Sequence, residues 1–503
     1  MDDWKSSNWT DVLVLLTPHQ AVGRGAAVQT SASGVARCPS LIRRPRATVV
    51  LHEIFVNVRP SYALGAHLPS IDVDSMEMTP SSLLKGPPAG APLDSLVDLV
   101  ERQEIVSAYQ PLMDLYGGET VGYEALARGP RGSRFERPDA IFAEARALGM
   151  EAEIEWECQR AALAGALETG LAPGQALFIN VEPGTLTAER PDWLSRLRDG
   201  ALERFPIFAE FTERSLTDRP AELLAAVERL RRLGIGIALD DVGADPRSLA
   251  LMPFLAPDVI KLDLRLVQDN PSLRIAEIVH AVSAEAERSG ALVLAEGIET
   301  EEHRQTALAL GARYGQGWLF GRPEPLARPA AGATLANAVS RPRRTLPDHH
   351  PSPFEVVTRN RPTRRGSKRL LLALSLQIEA QAPSLGKSAV VLASFQEARH
   401  FSASTSSRYS SLSDGAALVG ALGVGLSEQP APGVRGVALD STDPLRGEWD
   451  VTVIGSHFAM AFVARELGDT GRDMDRRFDF AITYDRDLAI QAARALMGRL
   501  AEV

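Results

Sequence analysis

The strongest constraint on this chain is an alternation. Over residues 93–328, short apolar runs of strand length take turns with longer stretches in which apolar residues recur every three or four positions. The strand-like runs are 108–112, 122–127, 177–181, 207–211, 235–239, 259–262, 292–295 and 314–319. Segments such as 140–167, 221–233 and 275–289 carry the period of an amphipathic helix. Strands alternating with helices over about 240 residues predict an α/β fold, a TIM-type (β/α)8 barrel. A doubly wound open sheet is the alternative, but no Gly-x-Gly-x-x-Gly fingerprint follows the first strand.

A barrel gathers its active-site groups at the C-terminal ends of the strands. The polar residues of this segment fall there. Glu124 lies in Tyr123-Glu124-Ala125-Leu126-Ala127-Arg128, Asn180 follows Phe178-Ile179, and Glu210 follows Phe208-Ala209. Asp240 and Asp241 end the next strand, Lys261 follows Val259-Ile260, Glu296 follows Leu294-Ala295, and Gln316 precedes Gly317-Trp318. Two adjacent carboxylates about 4 Å apart repel by about 4 kcal/mol at an effective dielectric near 20. Alone, Asp240-Asp241 is a water-screened turn or part of a metal site. Together, the acids on successive strands call for divalent cations. Oxygen ligands without a Cys/His cluster point to Mg²⁺ or Mn²⁺ rather than zinc. Two such ions about 4 Å apart suit phosphodiester hydrolysis.

Composition excludes other classes. The net charge of -10 argues against a partner that is a nucleic-acid polymer. Cys38 and Cys158 are the only cysteines and form no disulfide framework, which fits a cytoplasmic location. No apolar run reaches the ~18 residues of a membrane span, so no membrane partner is expected. Residues 1–92 form a poorly patterned N-terminal segment, apart from a strand-like run at 49–58. This segment is expected to be disordered or, up to residue 77, absent from the native product, with Met76 and Met78 as alternative starts.

The barrel segment resembles the EAL-domain cyclic di-GMP phosphodiesterases. The resemblance rests on Tyr123-Glu124-Ala125-Leu126-Ala127-Arg128, Phe178-Ile179-Asn180-Val181, Glu210-Phe211-Thr212-Glu213, Asp240-Asp241-Val242-Gly243, Lys261-Leu262-Asp263, Glu296-Gly297-Ile298-Glu299 and Gln316-Gly317-Trp318, in that order. It implies hydrolysis of bis-(3′-5′)-cyclic di-GMP to linear pGpG with two Mg²⁺ or Mn²⁺ ions. Glu124, Asn180, Glu210 and Asp240 would hold one ion, and Asp240 with Asp241 the other. Lys261 would orient or deprotonate the attacking water, with a pKa depressed by the metals. Glu296 would stand beside the second metal, and Gln316 would position water. Arg128, Gln110 and Pro111 would bind substrate, and Glu213 would anchor the loop after the paired aspartates. The resemblance also implies a homodimer through the barrel. A cyclic di-GMP receptor that does not cleave, or a signalling scaffold, is the alternative. The loop 242–248 departs from the family's Asp-Asp-Phe-Gly-small-Gly-Tyr-Ser. Valine replaces the phenylalanine, and the second glycine and the tyrosine are missing. That puts regulation and dimer geometry in question.

Residues 329–360 read as a Pro/Arg-rich linker that includes His349 and His350. Residues 361–503 read as a smaller α/β domain, with a helix at 368–380, strands at 389–392, 434–439, 449–454 and 478–483, and a final helix at 488–500. Arg399-His400-Phe401, Val453-Ile454-Gly455-Ser456-His457-Phe458 and the segment from Phe478-Asp479-Phe480 to Tyr484-Asp485-Arg486 resemble the DICT sensory domain. This implies an unknown effector that regulates the barrel. His400 and His457 are read as core or turn residues before ligand contacts.

Overall fold

Only residues 115–119 separate β1 (Val106–Asp114) from β2 (Thr120–Arg128). Asp114 Oδ1 accepts the backbone N–H groups of Tyr116 and Gly117 at 2.9 and 3.0 Å, and Gly118 turns the chain at φ 73°. A parallel neighbour would need a crossover of about a dozen residues. The two strands therefore form an antiparallel hairpin. In this computed structural model, the described residues are 95–500 apart from 183, 186–187, 213–218, 246, 328–332 and 336–350. The N-terminal segment, the strand-like run 49–58, Glu213 and the paired histidines 349–350 lie outside them.

The remaining barrel strands are β3 (Ala176–Asn180), β4 (Ile207–Phe211), β5 (Gly236–Val242), β6 (Val259–Leu262), β7 (Leu292–Ala295) and β8 (Tyr314–Gly315). From β2 to β8 neighbours run parallel, and β8 closes on β1 in the antiparallel sense. The barrel is thus the expected one with its first strand reversed. The helical stretch 140–167 is two helices, Pro138–Leu148 and Glu151–Thr169, broken where Gly149 adopts φ 67°. The barrel also runs past residue 328. Leu335 is buried among the interior side chains, and its N–H donates to Gly174 O at 3.1 Å at the foot of β3.

Period-two alternation sorts the strand residues into two cores. Leu177, Ile179, Ile207, Ala209, Ile237, Leu239 and Ile260 join the helices outside the barrel. Leu112, Phe178, Phe208, Ala238, Val259, Leu294 and Tyr314 pack together inside it, with the Phe178 and Phe208 rings stacked at 4.6 Å.

The second domain starts earlier than the linker reading placed it. Ser352 and Glu355 form a capping box on helix Pro353–Thr358, and Ser352 Oγ donates to buried Glu448 at 2.7 Å. A seven-stranded sheet follows in the order β12-β11-β10-β13-β14-β15-β9. Its strands are β9 (Arg364–Ser367), β10 (Val390–Glu397), β11 (Leu418–Val424), β12 (Arg435–Ala438), β13 (Glu448–Ile454), β14 (Ala459–Glu466) and β15 (Arg477–Thr483). One face packs on helices Lys368–Glu379 and Ala403–Ser413. The other packs on Pro353–Thr358 and the C-terminal helix Arg486–Met497.

The C-terminal helix also lies on the barrel helices Pro220–Arg232 and Arg247–Leu255, within one continuous hydrophobic core. Arg494 donates to Glu228 Oε1 at 2.7 Å across this junction, and Arg288 to Asp487 Oδ1 at 2.7 Å. None of the described helices is long and apolar enough to cross a membrane.

Glu155 supplies a pH test of the barrel wall. It is 4% exposed, accepts a hydrogen bond from Gln159 at 2.9 Å, and burial raises its carboxyl from 4.5 to about 7. A raised acid contributes stability present below its unfolded pKa and lost as pH rises through its folded one. Wild-type stability should therefore fall between pH 4.5 and 7 on this account, by on the order of 3 kcal/mol. Glu155→Gln should melt higher than wild type at pH 8 and equally at pH 4; thermal unfolding at the two pH values checks this.

Candidate active site

Eight of the predicted site residues stand two positions along the chain from an interior core residue or glycine. Glu124 follows Gly122, Asn180 follows Phe178, Glu210 follows Phe208, and Asp240 follows Ala238. Lys261 follows Val259, Glu296 follows Leu294, and Gln316 follows Tyr314. On reversed β1, Gln110 precedes Leu112, and it pairs with Glu124 across the hairpin. A period of two keeps all these side chains on the inner face, one layer above the apolar filling.

Lys261 lies at the centre, with 0% of its surface exposed. Its Nζ is 2.7 Å from Glu210 Oε1, 2.8 Å from Glu296 Oε1, 2.9 Å from Asp240 Oδ1 and 3.5 Å from Glu124 Oε2. Burial pulls the ammonium's pKa down, but Asp240, Glu124, Glu210 and Glu296 outweigh it and hold the pKa well above the usual lysine range. Four carboxylates surround this lysine and keep it a cation in the ion-free ring; the depression expected from bound metals belongs to the loaded site. Burial, reinforced by Glu124 and Asp240 and opposed by Lys261, raises Glu210 well above the carboxylate range. Burial likewise pushes Glu296 up to about 8.

The amides connect the ring. Gln316 Nε2 donates to Glu124 Oε2 at 2.7 Å and to Gln110 Oε1 at 3.0 Å, and Gln110 Nε2 donates to Gly321 O at 3.2 Å. Asn180 Nδ2 donates to Glu124 Oε1 at 3.2 Å. Gln110 is thus committed to holding Gln316. Pro111 faces Tyr123 in the hairpin and lies against Gly321. Half-buried Arg128 donates from Nη1 to Ala127 O at 2.8 Å, which leaves most of its guanidinium donors for a ligand.

Adjacent strand residues normally face opposite ways, yet the carboxylates of Asp240 and Asp241 converge. Each offers an oxygen within 4.8 Å of the other's and of one from Glu296. The β5–β6 register slips between Leu239 and Val242, and Asp241 takes φ 56°. This bulge, at a conformation unusual for a residue with a side chain, turns both acids to one place. Sequence reading found the two aspartates but not the bulge. It also passed over Ser248, which is 0% exposed; its Oγ accepts Gly243 N–H at 3.0 Å and donates to Asp245 O at 2.7 Å.

The ring is short of hydrogen-bond donors. The contacts of Lys261 are close in distance but not aligned as hydrogen bonds. Both Glu210 carboxylate oxygens and Asp240 Oδ1 are buried without a hydrogen-bond partner, and so is Gln316 Oε1. These three carboxylate oxygens, from Glu210 and Asp240 on neighbouring strands, are donor-poor oxygens of the kind that hard divalent cations bind.

Residues 93–323 match the EAL domain model. Residues 355–467 match the sensory domain in diguanylate cyclases and two-component systems, DICT. The chain carries an EAL domain followed by a DICT domain. The EAL segment is 30% identical over 239 residues to the probable cyclic di-GMP phosphodiesterase PdeB of Escherichia coli, covering 47% of this chain and 46% of PdeB. It is 31% identical over 243 residues to the cyclic di-GMP phosphodiesterase RocR of Pseudomonas aeruginosa, covering 47% of this chain and 62% of RocR. Among solved structures, a manganese/cyclic di-GMP complex of Klebsiella pneumoniae BlrP1 is similar at 31% identity and TM-score 0.39, covering 44% of this chain and 56% of that one. The chain thus spans less than two thirds of these relatives' own lengths.

Proposed function

We propose that this protein hydrolyses cyclic di-GMP to linear pGpG in the EAL barrel with two divalent cations, Mg²⁺ or Mn²⁺, under regulation by the DICT domain. The observation that supports the reading is the inner ring of acids, in which both Glu210 oxygens and Asp240 Oδ1 are buried without a hydrogen-bond partner. Glu124, Asn180, Glu210 and Asp240 would hold one cation; Asp240 and Asp241, with Glu296 beside them, would hold the other. Bound there, the cations supply Lewis-acid polarisation of the scissile phosphate and of a water.

In the reaction, water adds to one phosphorus, the P–O3′ bond breaks, and the 3′ oxygen takes up a proton. The protein's own groups set the geometry. Lys261, an ammonium in the ion-free ring, would donate to water and offset negative charge that grows on the phosphate, or deprotonate the water where bound cations depress its pKa. Glu296, beside the second cation, would accept a hydrogen bond from the attacking water and orient it. Gln316 spends its N–H groups on Glu124 and Gln110, so its Oε1 is the acceptor that aims the water. Arg128 suits a phosphate oxygen of the ligand.

Helices Pro220–Arg232 and Arg247–Leu255 face the DICT domain, so a barrel homodimer would use other surfaces. The function is tested by incubating full-length protein with cyclic di-GMP and Mn²⁺ or Mg²⁺ and following pGpG by chromatography. Product that disappears on chelation is the expected result. Tight binding without product would instead make this chain a receptor.

A further inference from the structure

The first turn of helix Arg247–Leu255 is tied to the metal-binding bulge, and the helix touches the DICT segment Gly386–Ser388 and the C-terminal helix. Ser248 makes the tie, accepting from Gly243 N–H and donating to Asp245 O. The described side chains of the helix at Ser248, Leu249, Ala250, Met252, Phe254 and Leu255 are all buried. Beyond the partly exposed Arg247 the helix is thus largely enclosed, with the barrel wall and the DICT domain both in contact with it. Arg247 donates to Asp245 Oδ2 at 2.9 Å, and the positive charge of exposed Lys387, in the DICT segment that touches this helix, also favours the ionised Asp245. This is the stretch, 242–248, in which the chain leaves the family pattern.

We propose that the DICT domain completes the metal site, with Ser248 and Lys387 as positioning residues that hold the Asp240–Asp241 bulge in its cation-binding shape through helix Arg247–Leu255. The inference rests on the proposed metal-dependent function and names its route of regulation. In the bulge, one residue at positive φ keeps two carboxylates convergent. Such a conformation persists only when its surroundings over-determine it. Two of those restraints are the hydroxyl of Ser248 and the seat of the helix on the DICT domain. A DICT effector that moves segment 386–388 would therefore act first on cation affinity and only through it on turnover.

The test is a Mn²⁺ titration of full-length protein, read by electron paramagnetic resonance of free Mn²⁺, beside thermal melts in chelator. Ser248→Ala should weaken Mn²⁺ binding about tenfold, the loss expected for about 1.4 kcal/mol of positioning. Lys387→Glu puts a like charge against Asp245 on an exposed site where folding is not at risk. It should weaken Mn²⁺ several-fold, less so in high salt, and Lys387→Arg should restore the wild-type value. Unchanged Mn²⁺ affinity in Ser248→Ala and Lys387→Glu, with wild-type melts in chelator, overturns the proposal. Should wild type bind Mn²⁺ but release no pGpG, the phosphodiesterase reading fails, while the affinity differences still decide the coupling.

Discussion

Asp240→Ala should lower the rate of cyclic di-GMP hydrolysis by about a thousandfold or more, with the fold intact. Asp240 is the one carboxylate common to both proposed cation sites. Its Oδ1 lies 2.9 Å from Lys261 in the ring, and it groups with Asp241 and Glu296 on the other side. Lewis-acid stabilisation is worth several kcal/mol of transition-state energy, and about 4 kcal/mol corresponds to a thousandfold. The alanine also removes one negative charge from around Lys261, so stability should not collapse. Steady-state kinetics with saturating Mn²⁺ would check it. A rate within tenfold of wild type would mean that Asp240 bridges nothing.

Lys261→Met should have its largest effect on stability in chelator. The methionine is about as long but uncharged. It leaves Glu124, Glu210, Asp240 and Glu296 facing one another without their central cation. Losing one partner of a buried charge cluster costs roughly 3–5 kcal/mol, which is several degrees in the melting temperature. Divalent cations should recover most of that loss, because binding to the folded state alone stabilises it. The pH dependence follows from the two directions of shift. Lys261 is held above its ordinary pKa, so its contribution is present below about pH 10.4 and is lost only as pH rises past the raised value. Glu296, raised to about 8, contributes stability that is present below 4.5 and lost as pH rises through about 8. In chelator, wild type should therefore soften between pH 4.5 and about 8, and the gap to Lys261→Met should persist throughout. Equal melting of the two proteins in chelator would remove Lys261 as the ring's counter-ion.

Much of the barrel is legible in the chain because its signals are local. Apolar runs with period two and helices with period near 3.6 place all eight barrel strands. The polar residues that interrupt the inner face name the site. The reversed first strand was also within reach, since the hairpin residues 115–119 are too few for a crossover helix. What pattern reading could not supply depends on long-range packing. The bulge at Asp241 is a backbone conformation imposed from outside the strand. Ser248 is an ordinary serine until its neighbours are known. Lys261 is held as a cation in the ion-free ring because four strands deliver carboxylates to the same point. Strands β11 and β14 lie inside Gly- and Ala-rich runs whose pattern gave no strand reading, and become strands by pairing with β10 and β13. In the DICT domain, His400 Nδ1 lies 3.0 Å from Phe395 O, a structural bond of the kind expected for a core or turn histidine.

The most direct test of the two-cation barrel is anomalous diffraction from crystals of the full-length protein grown with Mn²⁺ and cyclic di-GMP. Two manganese peaks should appear about 4 Å apart, with Asp240 between them and Lys261 displaced from the centre of the ring. A single peak, or a ring still closed around Lys261 with none, would contradict the two-cation phosphodiesterase.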